Sequence, residues 1–372
     1  MTRILLIFGT RPEAIKLCPL IQRLRLQPGE FQVRVCVTAQ HRGMLDQVLG
    51  VFGVTPDFDL DLMQPGQTLS GLTARILAAI EPVFEADRPD LAVVQGDTTT
   101  TLAGALGAFY RHINVAHVEA GLRTGDLDAP FPEEMNRVLT SRIAAWHFAP
   151  TRRAEAVLVA EGVDPRRVFV TGNTGIDAVL RVRDSLDDGS VRAPAWPWLD
   201  PARRLVLVTL HRRESFGAGF EAAMRALAQL ASRSDVQIAY PVHRNPNVLG
   251  PAHRLLSASA NVVLLDPLPY VSFVDLMRRS HMILTDSGGI QEEAPSLGKP
   301  VLVLREKTER PEAVEAGTVK LVGTDERRIV EEATRLLDDA AEYARMTAIH
   351  NPYGDGHACE RIAQALAAPA NR

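Results

Sequence analysis

Three carboxylates in the first half of the sequence lie where a reacting group could be met. Asp97 stands in Gln95-Gly-Asp-Thr-Thr-Thr-Thr101, directly after an apolar run and before threonines that open a helix. Glu119 lies at the end of another apolar run, in His117-Val-Glu-Ala-Gly121. Glu133 follows a proline-rich approach, in Pro132-Glu-Glu-Met-Asn-Arg137. Carboxylates gathered at one cleft can be driven to different pKa values and divide acid and base roles. Each has a plain alternative. Asp97 could cap its helix, and Glu133 with Glu134 could be ordinary helix-start glutamates.

The second half carries cations and glycines instead. His211, followed by Arg212 and Arg213, ends one predicted strand, and His243 with Arg244 ends the next. A strand-end histidine beside cations suits protonating or stabilising a leaving phosphate. Thr285-Asp-Ser-Gly-Gly-Ile-Gln-Glu-Glu-Ala294 reads as strand, Ser-Gly-Gly, helix, so Ser287, Gly288 and Gly289 form a phosphate-cradling turn. Glu293 lies about a turn further on, where it could accept ribose hydroxyls. Near the N-terminus, Arg11 and Lys16 flank a helix start in Phe8-Gly-Thr-Arg-Pro-Glu-Ala-Ile-Lys16, a second place for an anion or a turn with solvated charges. None of these is a GxGxxG or Walker A loop, Ser287 has no GxSxG elbow, and the histidines lack metal-site spacing.

The elements that must position these residues alternate. Ile4–Phe8, Val33–Thr38, Leu91–Gln95, Val115–Val118, Trp146–Ala149 and Val168–Thr171 read as buried strands. Pro12–Leu26, Thr68–Glu85 and Thr99–Tyr110 read as helices between them. Asp184–Arg204, with Pro194, Pro197, Pro201 and Gly189, breaks the rhythm and reads as an interdomain linker or a long excursion. The alternation resumes with Leu205–Thr209, Val236–Tyr240, Val262–Leu265, Met282–Thr285 and Val301–Leu304. The prediction is an α/β protein of two doubly wound parallel-sheet, Rossmann-like domains, 1–180 and 205–350, facing a cleft at the carboxyl ends of their strands. A last helix within 351–372 would pack back on the first domain.

Composition narrows the class. The 372 residues are 46% apolar and 23% charged, with a net charge of -4, so neither disorder nor a basic nucleic-acid binder is expected. Cys18, Cys36 and Cys359 match no zinc or CxxC pattern and fit a reducing, cytoplasmic setting. No apolar run approaches the ~20 residues that span a bilayer, and no signal peptide is read at the start.

Taken together, Gly9-Thr-Arg-Pro-Glu-Ala-Ile-Lys16, Gly96-Asp-Thr-Thr-Thr-Thr101, His117-Val-Glu-Ala-Gly-Leu-Arg-Thr-Gly125, Pro132-Glu-Glu-Met-Asn-Arg137, His211-Arg-Arg-Glu-Ser215, Thr285 to Gly298 and Asn351-Pro-Tyr-Gly-Asp-Gly356 resemble the bacterial non-hydrolysing UDP-N-acetylglucosamine 2-epimerases. The resemblance runs from Arg3 to about Ala365. It implies a fold like the GT-B glycosyltransferases, a homodimer, and no metal or nicotinamide cofactor. It implies reversible conversion of UDP-GlcNAc to UDP-ManNAc for cell-surface polysaccharide synthesis. By the same resemblance Arg11, Lys16, His211, Ser287, Gly288, Gly289 and Glu293 match positions that hold UDP. Arg310, in Glu-Arg-Pro-Glu-Ala, matches a further motif and is assigned to UDP with them. Asp97, Glu119 and Glu133 match the acid–base carboxylates, with His211 counted beside them as catalytic. Gln40, Arg212 and His243 match a neighbouring activator site for a second UDP-GlcNAc. Gln95 replaces a histidine common in the family.

The implied chemistry suits this inventory. C2 of the sugar has no adjacent carbonyl, so simple deprotonation is implausible. Departure of UDP from C1 makes the C2 proton removable, giving 2-acetamidoglucal, which is reprotonated on the other face before UDP returns. Which carboxylate serves which face stays open, as do a hydrolysing epimerase, a glycosyltransferase and a silent UDP-sugar binder. Domain closure is expected to complete a divided site.

Overall fold

The computed structural model describes residues 1–39, 42–64, 66–212, 215–348 and 350–368. The chain divides into two compact units, Met1–Ala178 with Tyr353–Arg372, and Val179–Pro352.

In the first unit the strands are β1 (Thr2–Phe8), β2 (Phe31–Val37), β3 (Phe58–Asp59), β4 (Leu91–Gln95), β5 (Asn114–Val118), β6 (Trp146–Ala149) and β7 (Val168–Val170). The helices between them are α1 (Arg11–Arg25), α2 (Arg42–Val51), α3 (Leu69–Asp87), α4 (Thr99–Tyr110), α5 (Glu133–Ile143) and α6 (Arg152–Ala160), and α7 (Thr174–Asp187) follows β7. All pairings are parallel, in the order β3-β2-β1-β4-β5-β6-β7. Ile4 to Phe8 are wholly buried, which is why β1 reads as one continuous apolar run rather than an alternating one. The strand order reverses between β1 and β4. Right-handed crossovers then send the flanking helices to opposite faces and open a crevice at the carboxyl ends of these two strands.

The second unit repeats the plan with β8 (Arg204–Thr209), α8 (Ala218–Ala231), β9 (Val236–Pro241), α9 (Pro246–Leu256), β10 (Val262–Leu265), α10 (Tyr270–Arg279), β11 (Met282–Thr285), α11 (Gly288–Glu293), β12 (Val301–Val303), α12 (Pro311–Ala316), β13 (Val319–Leu321), α13 (Glu326–Asp338) and α14 (Ala340–Thr347). Its order, β10-β9-β8-β11-β12-β13, reverses between β8 and β11. An apolar cluster that includes Val208, Phe220, Leu227, Tyr240, Leu284 and Ile329 lies in its core. The architecture is thus the expected pair of doubly wound parallel sheets.

Two readings of the sequence need correction. The stretch 184–204 is a long excursion and not an interdomain linker, because the division between the units falls at Ala178 and Val179. α7 continues to Asp187, and the rest packs within the second unit through its tryptophans. Trp196 Nε1 donates to the buried Asp275 at 2.7 Å, Gln237 Nε2 donates to the Trp198 carbonyl at 2.5 Å, and the two indoles meet edge to face. The prolines and charges suggested a loop, but two large aromatic side chains gain too much from burial to stay in solvent. β3 and β13 went unpredicted because two or three residues are too short to show a period.

The C-terminal helix α15 (Ala358–Ala367) packs against α1 in the first unit. Asp177 of α7 accepts from the backbone N–H groups of Ala358 and Cys359 at its start. The returning chain passes so close to β7 that a side chain at Gly172 (φ +88°) would meet Gly354 Cα at 3.3 Å. All three cysteines are buried, and none of them forms a disulfide. No helix among the described residues is long and apolar enough to cross a membrane.

Gly121 is the most demanding glycine of this unit. Its φ is +91°, and a Cβ there would sit 2.3 Å from the Ala154 carbonyl oxygen in α6. Left-handed strain and backbone overlap add, so Gly121→Ala should lower unfolding free energy by about 3 kcal/mol, read from urea or thermal unfolding. A loss under about 0.5 kcal/mol would show that the turn and α6 move apart freely.

Candidate functional site

In the first unit the expected residues collect at the carboxyl ends of β1, β4 and β5. Glu119 follows β5 directly and has φ +64°, a left-handed conformation that a glutamate adopts only under constraint. The constraint is visible at its carboxylate. Oε2 takes the Lys16 ammonium from α1, Gln95 Nε2 at 3.1 Å from the end of β4, and Asn173 Nδ2 at 3.3 Å from the turn after β7. Three elements that are distant in sequence therefore fix one oxygen.

Asp97 sits in the turn after β4. It does not cap α4, because Thr98 does so, accepting from the Thr101 N–H at 3.1 Å. Asp97 instead receives Arg137 Nη2 at 2.5 Å, and Asn136 Nδ2 donates to its carbonyl at 2.8 Å. Its side chain is still 31% exposed, so a substrate can reach it. Burial raises its pKa, Glu119 and Glu133 push the same way, and Arg137 and Lys16 oppose them. The three predicted carboxylates are thus near enough to share one field. Glu133 is partly exposed and makes no hydrogen bond or ion pair with the described residues. Its neighbour Glu134 is buried, accepts from the N–H groups of Thr124 and Gly125 at 2.9 and 3.0 Å, and pairs with Arg137 at 3.3 Å. Of the two helix-start glutamates, one shapes a turn and the other is open.

Buried groups brace this crevice. Glu13 accepts from the N–H groups of Gly9 and Thr10 and from the hydroxyls of Thr98 and Thr101. His117 Nε2 donates to the Gly96 carbonyl at 2.7 Å, which fixes its tautomer and supports the turn that carries Asp97. Burial lowers its pKa to about 3, and that of His147, beside it on β6, to about 4. Arg11 is the first residue of α1, five residues before Lys16. Gln95 was noted from sequence only as a replacement for a family histidine, and Arg137, Asn136 and Asn173 were not singled out. Only Glu13 carried a local signal, as the fourth residue of the capping box Thr10-Arg-Pro-Glu13.

In the second unit the expected residues lie at the switch point between β8 and β11. His211 and Arg212 follow β8. The His211 imidazole is 41% exposed and stacks on His243, with ring centroids 5.7 Å apart and planes 19° from parallel. His243 follows β9 and accepts the Asn245 N–H at 3.1 Å. After β11, the Ser287 side chain does not cap α11, so the first-turn N–H groups remain for another acceptor. A Cβ on Gly288 would lie 2.9 Å from Glu309 Oε1 and 3.7 Å from the Arg310 guanidinium carbon, so that pair sits close against the turn. A Cβ on Gly289 would lie 3.8 Å from Glu293 Oε1. Glu309 pairs with Arg305 at 2.6 Å and with Arg212 at 3.4 Å, and Arg310 pairs with the buried Glu292. Of the three residues matched to an activator site, Arg212 and His243 stand beside His211, and Gln40 lies outside the described residues, as does Arg213.

Two cavities lie in the first unit. One of about 470 Å³, lined by Leu69, Leu77, Thr99, Pro132 and Asn136, adjoins the carboxylates through Asn136. The larger, about 760 Å³, lies at the amino ends of β1, β4 and β5 among Arg3, Arg88, Asp90 and Arg111, away from them. Among the described residues no group of three or more His, Cys, Asp or Glu side chains could hold a metal ion.

Comparison with known proteins agrees across almost the whole chain. A family model described as UDP-N-acetylglucosamine 2-epimerase matches residues 23–367. The Escherichia coli K12 UDP-N-acetylglucosamine 2-epimerase is 58% identical over 369 residues, 98% of either chain. That of Salmonella typhimurium is 56% identical over 369 residues, again 98% of each. The crystal structure of the Neisseria meningitidis UDP-GlcNAc 2-epimerase bound to UDP-GlcNAc superposes with a TM-score of 0.91 at 47% identity, covering 98% of this chain and 99% of that one.

The buried histidines make stability depend on pH. An imidazole whose folded pKa is depressed stays neutral in the fold and takes a proton on unfolding, so its contribution is intact above about 6.5 and is lost on acidification. For His117 that window runs from 6.5 down to about 3. His117→Gln keeps an amide donor for the Gly96 carbonyl and removes the titration. It should flatten the acid-side slope of unfolding free energy by about 1.4 kcal/mol per pH unit below pH 6. An unchanged slope would mean that His117 is protonated in the fold.

Proposed function

The chain belongs to the UDP-N-acetylglucosamine 2-epimerase family, and from that membership we propose that it interconverts UDP-GlcNAc and UDP-ManNAc without losing the sugar to water. The observation that carries the proposal is the unequal setting of two carboxylates in the first unit. Glu119 is clamped by Lys16 and two amides, while Asp97 is partly open with a raised pKa. Groups so separated can accept a proton from one face of C2 and return one to the other.

The reaction begins as the C1–O bond breaks and its electron pair leaves with the diphosphate. Positive charge at C1 acidifies C2–H, a carboxylate takes that proton, and the C1–C2 double bond of 2-acetamidoglucal forms. A second acid group then protonates C2 from the opposite face, and the diphosphate oxygen closes on C1. Asp97, Glu119 and Glu133 are the acid–base candidates. In the second unit His211, with the Ser287-Gly288-Gly289 turn and Arg310, would hold the diphosphate, and Glu293 the ribose hydroxyls. Arg11 is a further candidate for binding UDP. Lys16, which pairs with Glu119, is a candidate for both roles. On this reading the first unit supplies proton transfer and the second binds UDP. The enzyme is a cytoplasmic homodimer that supplies cell-surface polysaccharide synthesis.

Proton NMR of UDP-GlcNAc with the protein in heavy water tests the reaction. UDP-ManNAc carrying deuterium at C2 is the expected product. Free ManNAc with stoichiometric UDP would move the chain to the hydrolysing reaction, and unchanged substrate would overturn the assignment. Asp97→Asn, Glu119→Gln and Glu133→Gln should each lower kcat about 10²- to 10⁴-fold while the circular dichroism spectrum is retained. A variant of near-normal rate removes its residue from the mechanism.

A further inference from the structure

Asp286 lies in the turn after β11 and its side chain is completely buried. Its two oxygens are used differently. Oδ2 accepts the backbone N–H groups of His211 at 2.7 Å and Arg212 at 2.8 Å, which pins the turn after β8 to the turn after β11. Oδ1 has no hydrogen-bond partner among the described residues and lies 3.4 Å from His211 Nδ1. An unpaired carboxylate oxygen in a core is costly, and catalytic hydrogen bonds are often long before substrate binds.

We propose that Asp286 is the positioning residue of His211, accepting a hydrogen bond from Nδ1–H so that the imidazole is oriented and held as the doubly protonated ring when the diphosphate departs. The proposal rests on the reading that His211 acts on that leaving group. A neutral ring with its proton on Nδ1 offers Nε2 only as an acceptor, which a phosphate oxygen cannot use. The imidazolium offers Nε2–H as well. As the C1–O bond breaks, that proton is shared with or passed to the departing oxygen, and it returns to Nε2 when the oxygen closes on C1 again.

The groups around His211 show why a buried carboxylate is needed. Partial burial, Arg212 and the stacked His243 all disfavour its charged form, and Asp286 favours it. Glu309 is turned to Arg212, at 3.4 Å. Tyr240, packed near Asp286, spends its hydroxyl proton on the Leu210 carbonyl at 2.7 Å. A purely structural Asp286 would need Oδ2 alone.

Asp286→Asn separates the two roles, because its amide oxygen can still accept both backbone N–H groups while its NH₂ faces Nδ1. The expected result is a folded enzyme with UDP affinity within a few-fold of normal and kcat lowered roughly 100-fold. The fall in rate at high pH should come at least one pH unit earlier, because the imidazolium loses its anion. In a His211→Ala background the same change should cost nothing further. Nitrogen-15 NMR of the wild-type protein with UDP needs no variant to fold, and it should show the His211 ring protonated at Nδ1. A protonated Nε2 with bare Nδ1, a normal pH profile in Asp286→Asn, or additive losses in the double variant would overturn the proposal. If His211→Ala were itself fully active, the underlying reading of His211 would fall, and the proposal with it. A crippled His211→Ala beside an unaffected Asp286→Asn would overturn the proposal alone.

Discussion

The geometry of the first unit depends on one buried carboxylate. Glu13 is 2% exposed, yet four donors converge on it. The N–H groups of Gly9 and Thr10 come from the turn after β1, and the hydroxyls of Thr98 and Thr101 come from the turn after β4. These two turns border the crevice where the strand order reverses, so Glu13 sets its width. Burial raises the Glu13 pKa, against the pull of its donors. Desolvating a carboxylate costs several kcal/mol. Hydrogen bonds to a charged group return roughly 1.5–3 kcal/mol each, so four are of the right size to hold it there. Lys16 follows Glu13 by three residues on α1, about one helical turn, and from that position its ammonium reaches Glu119.

The strained Glu119 backbone shows what this rigidity is for. A left-handed glutamate persists only where its surroundings over-determine it. Lys16, Gln95 and Asn173 supply that determination from α1, β4 and the turn after β7. Asn173 is held in turn, since its N–H donates to the Tyr353 carbonyl at 2.7 Å and its Oδ1 accepts from Gly175. Tyr353 is wholly buried where the chain returns to this unit, beside the Gly172–Gly354 approach. The C-terminal segment therefore reaches the candidate base through one amide.

This layering decides what a single sequence can disclose. β1, β4 and β8 were legible because strands buried on both faces must be apolar throughout. Asp97, Glu119 and His211 were legible because a polar residue that ends such a run is conspicuous. Helix starts were legible as capping patterns, although the pattern named the wrong residue at α4, where Thr98 caps and Asp97 is released to Arg137. The illegible parts depend on partners far along the chain. Asn173 is 54 residues from Glu119, and Asp286 is 75 from His211. Nothing local distinguishes them from any other turn Asn or Asp. In the stretch 184–204 the local signals marked an excursion, but not the distant Asp275 and Gln237 that hold it in the second unit.

The same side chain is used in opposite ways according to its exposure. Asp97 keeps 31% of its surface open, and neighbouring carboxylates oppose its ionisation, so it is suited to gaining and losing a proton. Asp286 is closed to solvent, spends one oxygen on two backbone amides and presents the other to His211 Nδ1 at 3.4 Å. Glu292 is likewise buried and serves Arg310. A reaction that moves a proton at C2 and negative charge at C1 needs both kinds. Carboxylates that titrate must be reachable, and carboxylates that hold cations in place must not be. Burial, more than residue type, is what separates the two.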